Sequence, residues 1–278
     1  MNVLLIRLKG PMQSWGSRSR FNLRSTEPYP TKSGVIGMIA AALGMARTEP
    51  LNRFEGLRFG VRVDQPGVLL DDFHTAHNDA GESMPLSHRH YLSDAVFLTA
   101  LEDPDGDLRL REYADALAAP HFPLFLGRRS CPPDGPVAAW IVDESLEDAL
   151  RSAPWQATAF HQRRCLRNAW RFPNRLEAEI FVESPDAATN GQDAFELNDS
   201  PLSFDPRGRL WKKRTVVRLG TVRPHPTVGG PTPPDAPIPG NRRQYRDTDF
   251  PADTHDPMTA ILSAPVEADA PSDKETEA

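Results

Sequence analysis

The sequence predicts an α+β fold, and the order of two kinds of segment carries that prediction. Strand-like segments, which alternate apolar and polar residues or form short apolar runs, lie at residues 3–9, 57–64, 95–102 and 137–142. Two helical segments interrupt them, a buried one at 34–44 and an amphipathic one at 108–119. The resulting order, β-α-β-β-α-β, is the ferredoxin-like arrangement that RNA-recognition modules also use.

Local signals support the individual elements. The first strand alternates apolar and basic residues and stops before Gly10-Pro11, a dipeptide typical of turns. Thr31 or Ser33 can cap the N-terminus of the first helix, and Gly44 can end it. The second helix carries its apolar face at Leu110, Tyr113, Ala114 and Leu117.

Three parts of the chain are predicted from these elements. Residues 1–150 form the ferredoxin-like domain, and two further strands, at 176–183 and 213–219, form a small β-rich C-terminal unit over residues 151–219. Seven of the sixteen residues from 224 to 239 are proline. We therefore expect residues 220–278 to be a largely disordered, acidic extension.

The connection between the second and third strands spans residues 71–93 and is too long for a tight hairpin, so a functional or mobile role is expected. It holds four of the eight histidines: His74, His77, His88 and His90. Four interpretations stay open. The first is a zinc site built from HxxH and HxH, and the second is metal-independent RNA cleavage, with histidine as general acid or base and a 2′-hydroxyl as nucleophile. The others are RNA contact by His74, Arg89 and His90 without chemistry, and a mobile polar loop.

The net charge of −6 conceals a basic body. Residues 247–278 hold nine acids and one base, and the rest of the chain carries a net charge of +2. Residues 1–60 hold nine bases against three acids, and residues 155–176 hold five arginines and no acid. Such segments suit a polyanionic partner, although arginines on a solvated surface would give the same count.

Three short segments are candidates for contact with phosphate. Lys32-Ser33 opens a helix but lacks the glycines of a phosphate loop, since Thr26 and Thr31 occupy their positions. A capped helix N-terminus beside a lysine could still bind one phosphate, or Lys32 could simply face solvent. The segment 127–130 (GRRS) joins paired arginines, which can bind phosphate, to a glycine that lets the backbone approach a ligand closely; a surface turn with two solvated arginines is the alternative. The arginines of 163–171 lie near a spacing of i, i+4 and i+8, which would make one basic helical face. With Trp170 they suit nucleic acid, or an exposed helix packed by the tryptophan.

Taken together, these segments resemble the RAMP superfamily of CRISPR-associated proteins, and within it the CasD family of the type I-E surveillance complex, Cascade. The resemblance rests on residues 8–16 (LKGPMQSWG), 30–37 (PTKSGVIG), 72–75 (DFHT), 89–95 (RHYLSDA) and 126–132 (LGRRSCP). It implies a non-catalytic subunit that caps the 5′ repeat-derived tag of the CRISPR RNA. It also implies contacts with the backbone subunit CasC and the large subunit CasA, and a projecting thumb at 71–93.

The resemblance turns the motifs into one hypothesis about the site. The candidate RNA-binding residues are Gln13, Ser14, Trp15, Arg24, Lys32, Ser33, His74, Arg89, His90, Arg128, Arg129 and Ser130. Lys32, Ser33 and the 127–130 loop would hold phosphates, and Trp15 would stack on a base or pack in the core. Related subunits of type I-C systems cut repeat RNA, which keeps an endoribonuclease as the alternative.

Other features limit the class of protein. The two cysteines form no CxxC motif, and the N-terminus lacks the layout of a signal peptide, so a cytoplasmic protein is expected. No stretch approaches the roughly 20 apolar residues of a membrane span. We expect no cofactor, no metal ion and no membrane partner.

Overall fold

The computed structural model of the chain describes residues 2–17, 23–104, 106, 108–184 and 193–228. The strands are β1 (Asn2–Lys9), β2 (Met12–Gln13), β3 (Leu23–Arg24), β4 (Arg58–Gln65), β5 (Val68–His74), β6 (Ser87–Ser93), β7 (Val96–Asp103), β8 (Ala139–Asp143), β9 (Ala178–Glu183), β10 (Ala194–Ser203) and β11 (Leu210–Val222). The helices are α1 (Lys32–Ala42), α2 (Leu108–Ala118), α3 (Leu146–Ser152) and α4 (Ala159–Arg167).

Seven strands form the main sheet, in the order β10-β11-β9-β4-β7-β1-β8, and every neighbouring pair is antiparallel. The predicted α+β class is confirmed. The six elements read from the sequence as β-α-β-β-α-β correspond to β1, α1, β4, β7, α2 and β8. Their four strands lie side by side in the sheet as β4-β7-β1-β8.

Helices cover both faces of this sheet. Because successive strand residues point to opposite faces, β1 sends Leu4 and Ile6 into a core with α1 and α2. Val3 and Leu5 point the other way, into a second core with α3. Burial on both faces explains why the middle of β1 is an uninterrupted apolar run rather than a strict alternation.

The predicted connection at 71–93 is an ordered β-hairpin. β5 and β6 pair along their whole length, from Val68↔Ser93 to His74↔Ser87, and an isolated bridge joins His77 to Ser83 near the tip. β2 and β3 pair with the other side of β6, which makes a four-stranded sheet. The hairpin begins three residues earlier than expected, because the apolar residues 68–70 belong to its first strand.

The boundary predicted at residue 150 does not divide the sheet, since β9 pairs directly with β4. The boundary predicted at 219 falls inside β11, and the ordered chain continues beyond that strand. The backbone N–H of Trp155 donates to the carbonyl of His225, and that of Thr227 donates to Gln162. The rest of the predicted extension, from residue 229 onward, lies outside the described residues. Within the described residues, no helix is both long and apolar enough to cross a membrane.

Candidate nucleic-acid interface

A basic cleft of about 840 Å³ runs along one flank of α1. Its other walls come from the loop after β2, the segment before and through the 127–130 loop, and the β10–β11 connection. Five arginines line it: Arg24, Arg47, Arg128, Arg129 and Arg209. No aspartate or glutamate occurs among its described lining residues. The arrangement concentrates positive charge in a concave surface, which attracts polyanions.

Aromatic side chains line the cleft together with the arginines. Phe122, Phe125, Phe204 and Trp211 line its walls, and Phe122 and Trp211 keep substantial exposed ring area. Nucleobases stack on such rings with little dependence on sequence, while arginines contact the backbone between them. The cleft therefore combines the two kinds of group that a single-stranded nucleic acid needs.

Gly127 fixes the wall that carries the paired arginines. Its φ is +89°, in the left-handed region that favours glycine, and a Cβ there would lie 1.8 Å from the carbonyl oxygen of Ser14. The backbone N–H of Ser14 also donates to the carbonyl of Leu126, at 3.0 Å. The glycine thus lets the 127–130 loop pack against the loop after β2, whereas the sequence suggested that it lets the backbone approach a ligand.

Arg128 and Arg129 have different surroundings. The Arg128 guanidinium lies 4.9 Å from the centre of the Tyr91 ring and donates to the carbonyl of His90 at 3.3 Å, so its orientation is fixed. Arg129 is exposed and lines the cleft beside it. Ser130 is also exposed, with its hydroxyl 3.9 Å from the Cys131 sulfur, but it lies outside the cleft lining.

Three predicted residues after β1 are structural. Gln13 is fully buried, where it donates to the carbonyl of Ala95 at 2.8 Å and accepts from the Trp15 ring N–H at 3.1 Å. Ser14 donates its hydroxyl to the carbonyl of His90. Trp15 packs against Gly34 and has no exposed surface, so base stacking by its ring is wrong for this structure and core packing is confirmed. The apolar ring and its satisfied N–H account for that burial.

The N-terminus of α1 does not offer the phosphate site that the sequence suggested. The Lys32 ammonium donates to the carbonyl of Leu57 at 2.6 Å and to the Glu183 carboxylate at 2.7 Å. Its backbone N–H donates to the Asp199 carboxylate, and the Thr31 hydroxyl caps the helix. Burial lowers the pKa of Lys32 from its ordinary value, and Glu183 opposes part of that shift. The Lys32 ammonium and the backbone N–H groups of Lys32 and Gly34 are thus satisfied internally, whereas Ser33 lines the cleft.

The histidines of the hairpin lie on different faces. His90 stands beside its cross-strand neighbour Asp71, at 3.5 Å, and His74 stands beside Asp72, two residues away on the same face of β5, at 2.9 Å. Because Asp71 and Asp72 are adjacent in β5, His74 and His90 point to opposite sides. Among the described residues, no three His, Cys, Asp or Glu side chains lie close enough together to hold a metal ion.

Arg24 and Arg89 meet where β3 pairs with β6. Arg24 is exposed, lines the cleft and stands opposite Arg89 in the parallel register. Arg89 is half-buried, and its Nε has no hydrogen-bond partner among the described residues. The hairpin therefore lies beside the cleft residue Arg24, but Arg89, His90 and His74 themselves line no part of the cleft.

Sequence reasoning missed part of the cleft. It did not single out Arg47, Phe122, Phe125, Phe204, Arg209 and Trp211. The stretch RGRLWKK at 207–213 does interleave basic and aromatic residues, a signal equal to that at 163–171. Arg47 carries no such local signal, because only the packing of α1 places it near the others.

Known proteins are similar to this chain in sequence and in structure. The sequence model of a family described as "CRISPR-associated protein (Cas_Cas5)" matches residues 3–217. A curated relative, the "CRISPR system Cascade subunit CasD" of Escherichia coli (strain K12), is 36% identical over 152 residues, covering 47% of this chain and 67% of the relative.

Two solved structures are similar over most of their length. One, titled "CRISPR RNA-guided surveillance complex", is 35% identical with a TM-score of 0.60 and covers 79% of this chain and 90% of that chain. The other, titled "Crystal structure of Cas protein", is 34% identical with a TM-score of 0.54 and covers 77% and 94%.

Proposed function

We propose that this chain, which belongs to the Cas5 family of CRISPR-associated proteins, is a non-catalytic RNA-binding subunit of a type I-E surveillance complex in the cytoplasm. It caps the 5′ end of the CRISPR RNA by holding the repeat-derived tag. It also joins the backbone subunit CasC to the large subunit CasA. The single observation that carries this proposal is the cleft with five arginines, aromatic walls and no carboxylate among its described lining residues.

The cleft supports a division of labour between phosphate and base contacts. The cleft arginines, among them Arg128 and Arg129, supply guanidinium groups that bind phosphate oxygens bidentately. Trp211 and Phe122 supply exposed ring faces on which the splayed bases of a single strand stack. Such contacts recognise the tag by shape and charge, and base pairing between guide and target reads the target sequence.

The two sheets support a ferredoxin-like interpretation with a thumb. The strand order β4-β7-β1-β8, antiparallel throughout and crossed by α1 and α2, is that of a split β-α-β pair. The β5–β6 hairpin takes the place of the thumb. It exposes large apolar side chains at Val68, Leu69 and Phe73, and exposed apolar area of this kind suits contact with a protein subunit such as CasC.

The hairpin geometry supports binding rather than cleavage. A general acid and a general base must both reach one phosphodiester within hydrogen-bond distance. The pleat directs His74 and His90 to opposite faces, and each stands beside its own aspartate. The endoribonuclease alternative therefore gains no support from His74 and His90 acting together on one phosphodiester.

The experiment compares two double variants in the assembled complex. Arg128→Ala with Arg129→Ala removes two charges from the cleft. Arg151→Ala with Arg223→Ala removes two exposed charges elsewhere, and Arg151 lies on α3, across the sheet from α1. Binding of RNA that carries the repeat-derived tag is titrated across salt concentrations. We expect the cleft variant to bind less tightly and its log–log salt slope to fall by about 1.4, which is two single-strand phosphate contacts.

Two readouts would contradict the proposal. If the salt slope of the cleft variant is unchanged and the control variant loses as much RNA affinity as the cleft variant, the cleft is not the RNA site. Sequencing of the RNA that purifies with the tagged chain gives the independent readout. Uniform 5′ ends starting in repeat sequence are expected, and their absence would overturn the capping role.

A further inference from the structure

We propose that the exposed side of α4 and the turn after it form a second surface for single-stranded nucleic acid, separate from the cleft. The α4 surface comprises Phe160, Arg163, Arg164, Arg167, Trp170 and Arg171, all of them exposed. None of these residues lines the cleft. The proposal goes beyond tag binding, because it assigns a ligand to a surface that the tag site leaves unused.

The arginines of this surface are not used in internal ion pairs. Within the described residues, none of its four arginines forms a salt bridge with a carboxylate, and the segment 155–176 contains no acid. Elsewhere, Arg53, Arg58 and Arg218 each pair with a glutamate. The α4 arginines therefore keep their full charge for a partner.

Two aromatic rings on this surface are mostly exposed and do not belong to the core beneath the helix. Phe160 is 73% exposed and Trp170 is 84% exposed. The small core beneath α4 is built by other side chains, among them Trp155, Cys165 and Leu176. Two large exposed rings lower solubility and do not stabilise the helix. Exposed rings of this kind are expected where a ligand binds.

The helix is held firmly enough to present these groups. Thr158 caps it by accepting from the backbone N–H of His161 at 3.2 Å. The buried Gln162 amide donates to the carbonyls of Trp155 and Ala157 and accepts from the backbone N–H of Thr227 at 2.9 Å. A preorganised surface loses less conformational entropy when it binds.

The sequence suggested arginines at a spacing of i, i+4 and i+8 on one helical face. The structure confirms part of that pattern, because Arg163 and Arg167 lie one turn apart on the exposed face. The helix ends at Arg167, so Arg171 belongs to the turn that follows. The idea that Trp170 packs the helix is wrong, since its ring is exposed.

Arginines with exposed rings favour a nucleic acid over an acidic peptide. A guanidinium binds phosphate bidentately, and a nucleobase stacks on a tryptophan or phenylalanine face. An acidic peptide would satisfy the arginines but would leave Trp170 and Phe160 exposed to water. RNA and DNA strands share this chemistry, and the experiment compares the two.

The experiment uses the full chain with the cleft weakened by Arg128→Ala and Arg129→Ala. In that background, Arg163→Ala with Arg167→Ala is compared with Arg151→Ala with Arg223→Ala. The probes are fluorescently labelled single-stranded RNA and DNA oligonucleotides. We expect the α4 variant to bind both more weakly and to lose about 1.4 from the salt slope, while the control variant is unchanged.

Trp170 gives a second readout that does not depend on charge. We expect Trp170→Ala to weaken binding about tenfold, the effect of one stacked base, and Trp170→Phe to restore most of it. Part of the tryptophan fluorescence should be quenched when the oligonucleotide binds, and that part should be absent in Trp170→Phe.

Three results would overturn this proposal. One is an unchanged salt slope in the α4 variant, and another is complete loss of oligonucleotide binding in the cleft variant alone. The third is poly-glutamate binding as tightly as the oligonucleotides with no effect of Trp170→Ala, which would assign the surface to an acidic protein. The tag proposal is tested separately, by the binding of tag RNA to the cleft variant.

Discussion

The N-terminal end of α1 and the flank of the same helix use basic residues in opposite ways. At the end of the helix, Lys32 pairs with Glu183, and Arg214 pairs with Asp199, whose carboxylate also accepts from the Lys32 backbone N–H. Along the flank, the arginines of the cleft meet no carboxylate among its described lining residues. One end of the helix is held inside the protein, and the flank is open to a ligand.

The difference shows that the nearest carboxylate decides what a basic residue does. Glu183 and Asp199 come from β9 and β10, 151 and 167 residues further along the chain than Lys32. They neutralise the helix end and join it to the sheet. The β10–β11 connection contributes Arg209 to the cleft instead of an acid, so the flank stays basic.

The largest expected effect comes from breaking the internal cluster. Asp199→Ala leaves the buried Arg214 guanidinium without its bidentate partner, whose contacts are 2.6 and 2.8 Å. Removing one partner of a buried pair leaves an uncompensated charge, so we expect the free energy of unfolding to fall by about 3–5 kcal/mol. Urea denaturation measures it.

The control for this prediction is a surface pair on the same two strands. Glu196→Ala removes the exposed partner of Lys213, and its expected cost is about 1 kcal/mol or less. Equal losses in the two variants would contradict the view that the helix end is an internal ionic cluster. Under conditions where Asp199→Ala remains folded, its salt slope for RNA should match that of the wild type.

The next effect comes from the cleft wall. In Gly127→Ala, the new Cβ would clash with the Ser14 carbonyl, and the backbone at φ +89° adds strain of about 1–3 kcal/mol. Because the 127–130 loop must shift to relieve the clash, Arg128 and Arg129 move away from their positions. We expect tag RNA to bind about tenfold more weakly, as measured by fluorescence anisotropy, which is the loss of about 1.4 kcal/mol.

Gly81 is the matched control for backbone strain. It lies in the hairpin tip with a φ of +80°, and a Cβ there would meet no atom within 4 Å. Gly81→Ala shares the unfavourable dihedral angle but not the clash, so RNA binding should be unchanged. Equal weakening in both variants would mean that strain alone, and not loop position, affects binding.

Much of the fold could be predicted because its signals are local. The strand and helix patterns gave β1, α1, β4, β7, α2 and β8 within about three residues at each end. The hairpin was missed as strands because β5 reads VLLDDFH, which does not alternate, and because its pairing partner lies across a long loop. β10 and α3 carried no pattern strong enough to single out.

The site was predicted less completely than the fold, for a physical reason. The Gly127 loop and its two arginines have a local signature, since glycine followed by arginines indicates close backbone approach beside charge. Lys32, at the start of a capped helix, also suggested a phosphate site. Its actual contacts depend on two carboxylates from strands far along the chain. Whether Trp15 stacks on a base or packs on Gly34 likewise depends on tertiary contacts.

The smallest expected effect concerns the titration of Lys32. Burial lowers its pKa in the folded protein below the ordinary value of 10.5, whereas the unfolded chain keeps that value. Between the two pKa values the unfolded state binds more protons, so stability rises with pH in that window. The free energy of unfolding of the wild type, relative to Lys32→Met, should therefore increase as pH approaches 10.5, by at most about 1.4 kcal/mol per unit.

Differential measurement against Lys32→Met cancels the other titrating groups, because both proteins contain them. A difference in unfolding free energy that stays constant with pH would mean that the pKa of Lys32 is the same in the folded and unfolded protein, because the Glu183 carboxylate fully offsets the effect of burial. The salt slope of Lys32→Met for tag RNA also distinguishes the N-terminal end of α1 from its cleft-lining flank. Since the Lys32 ammonium is bound by Glu183 and the Leu57 carbonyl, its loss should leave the salt slope for tag RNA unchanged, whereas a phosphate contact would lower that slope by about 0.7.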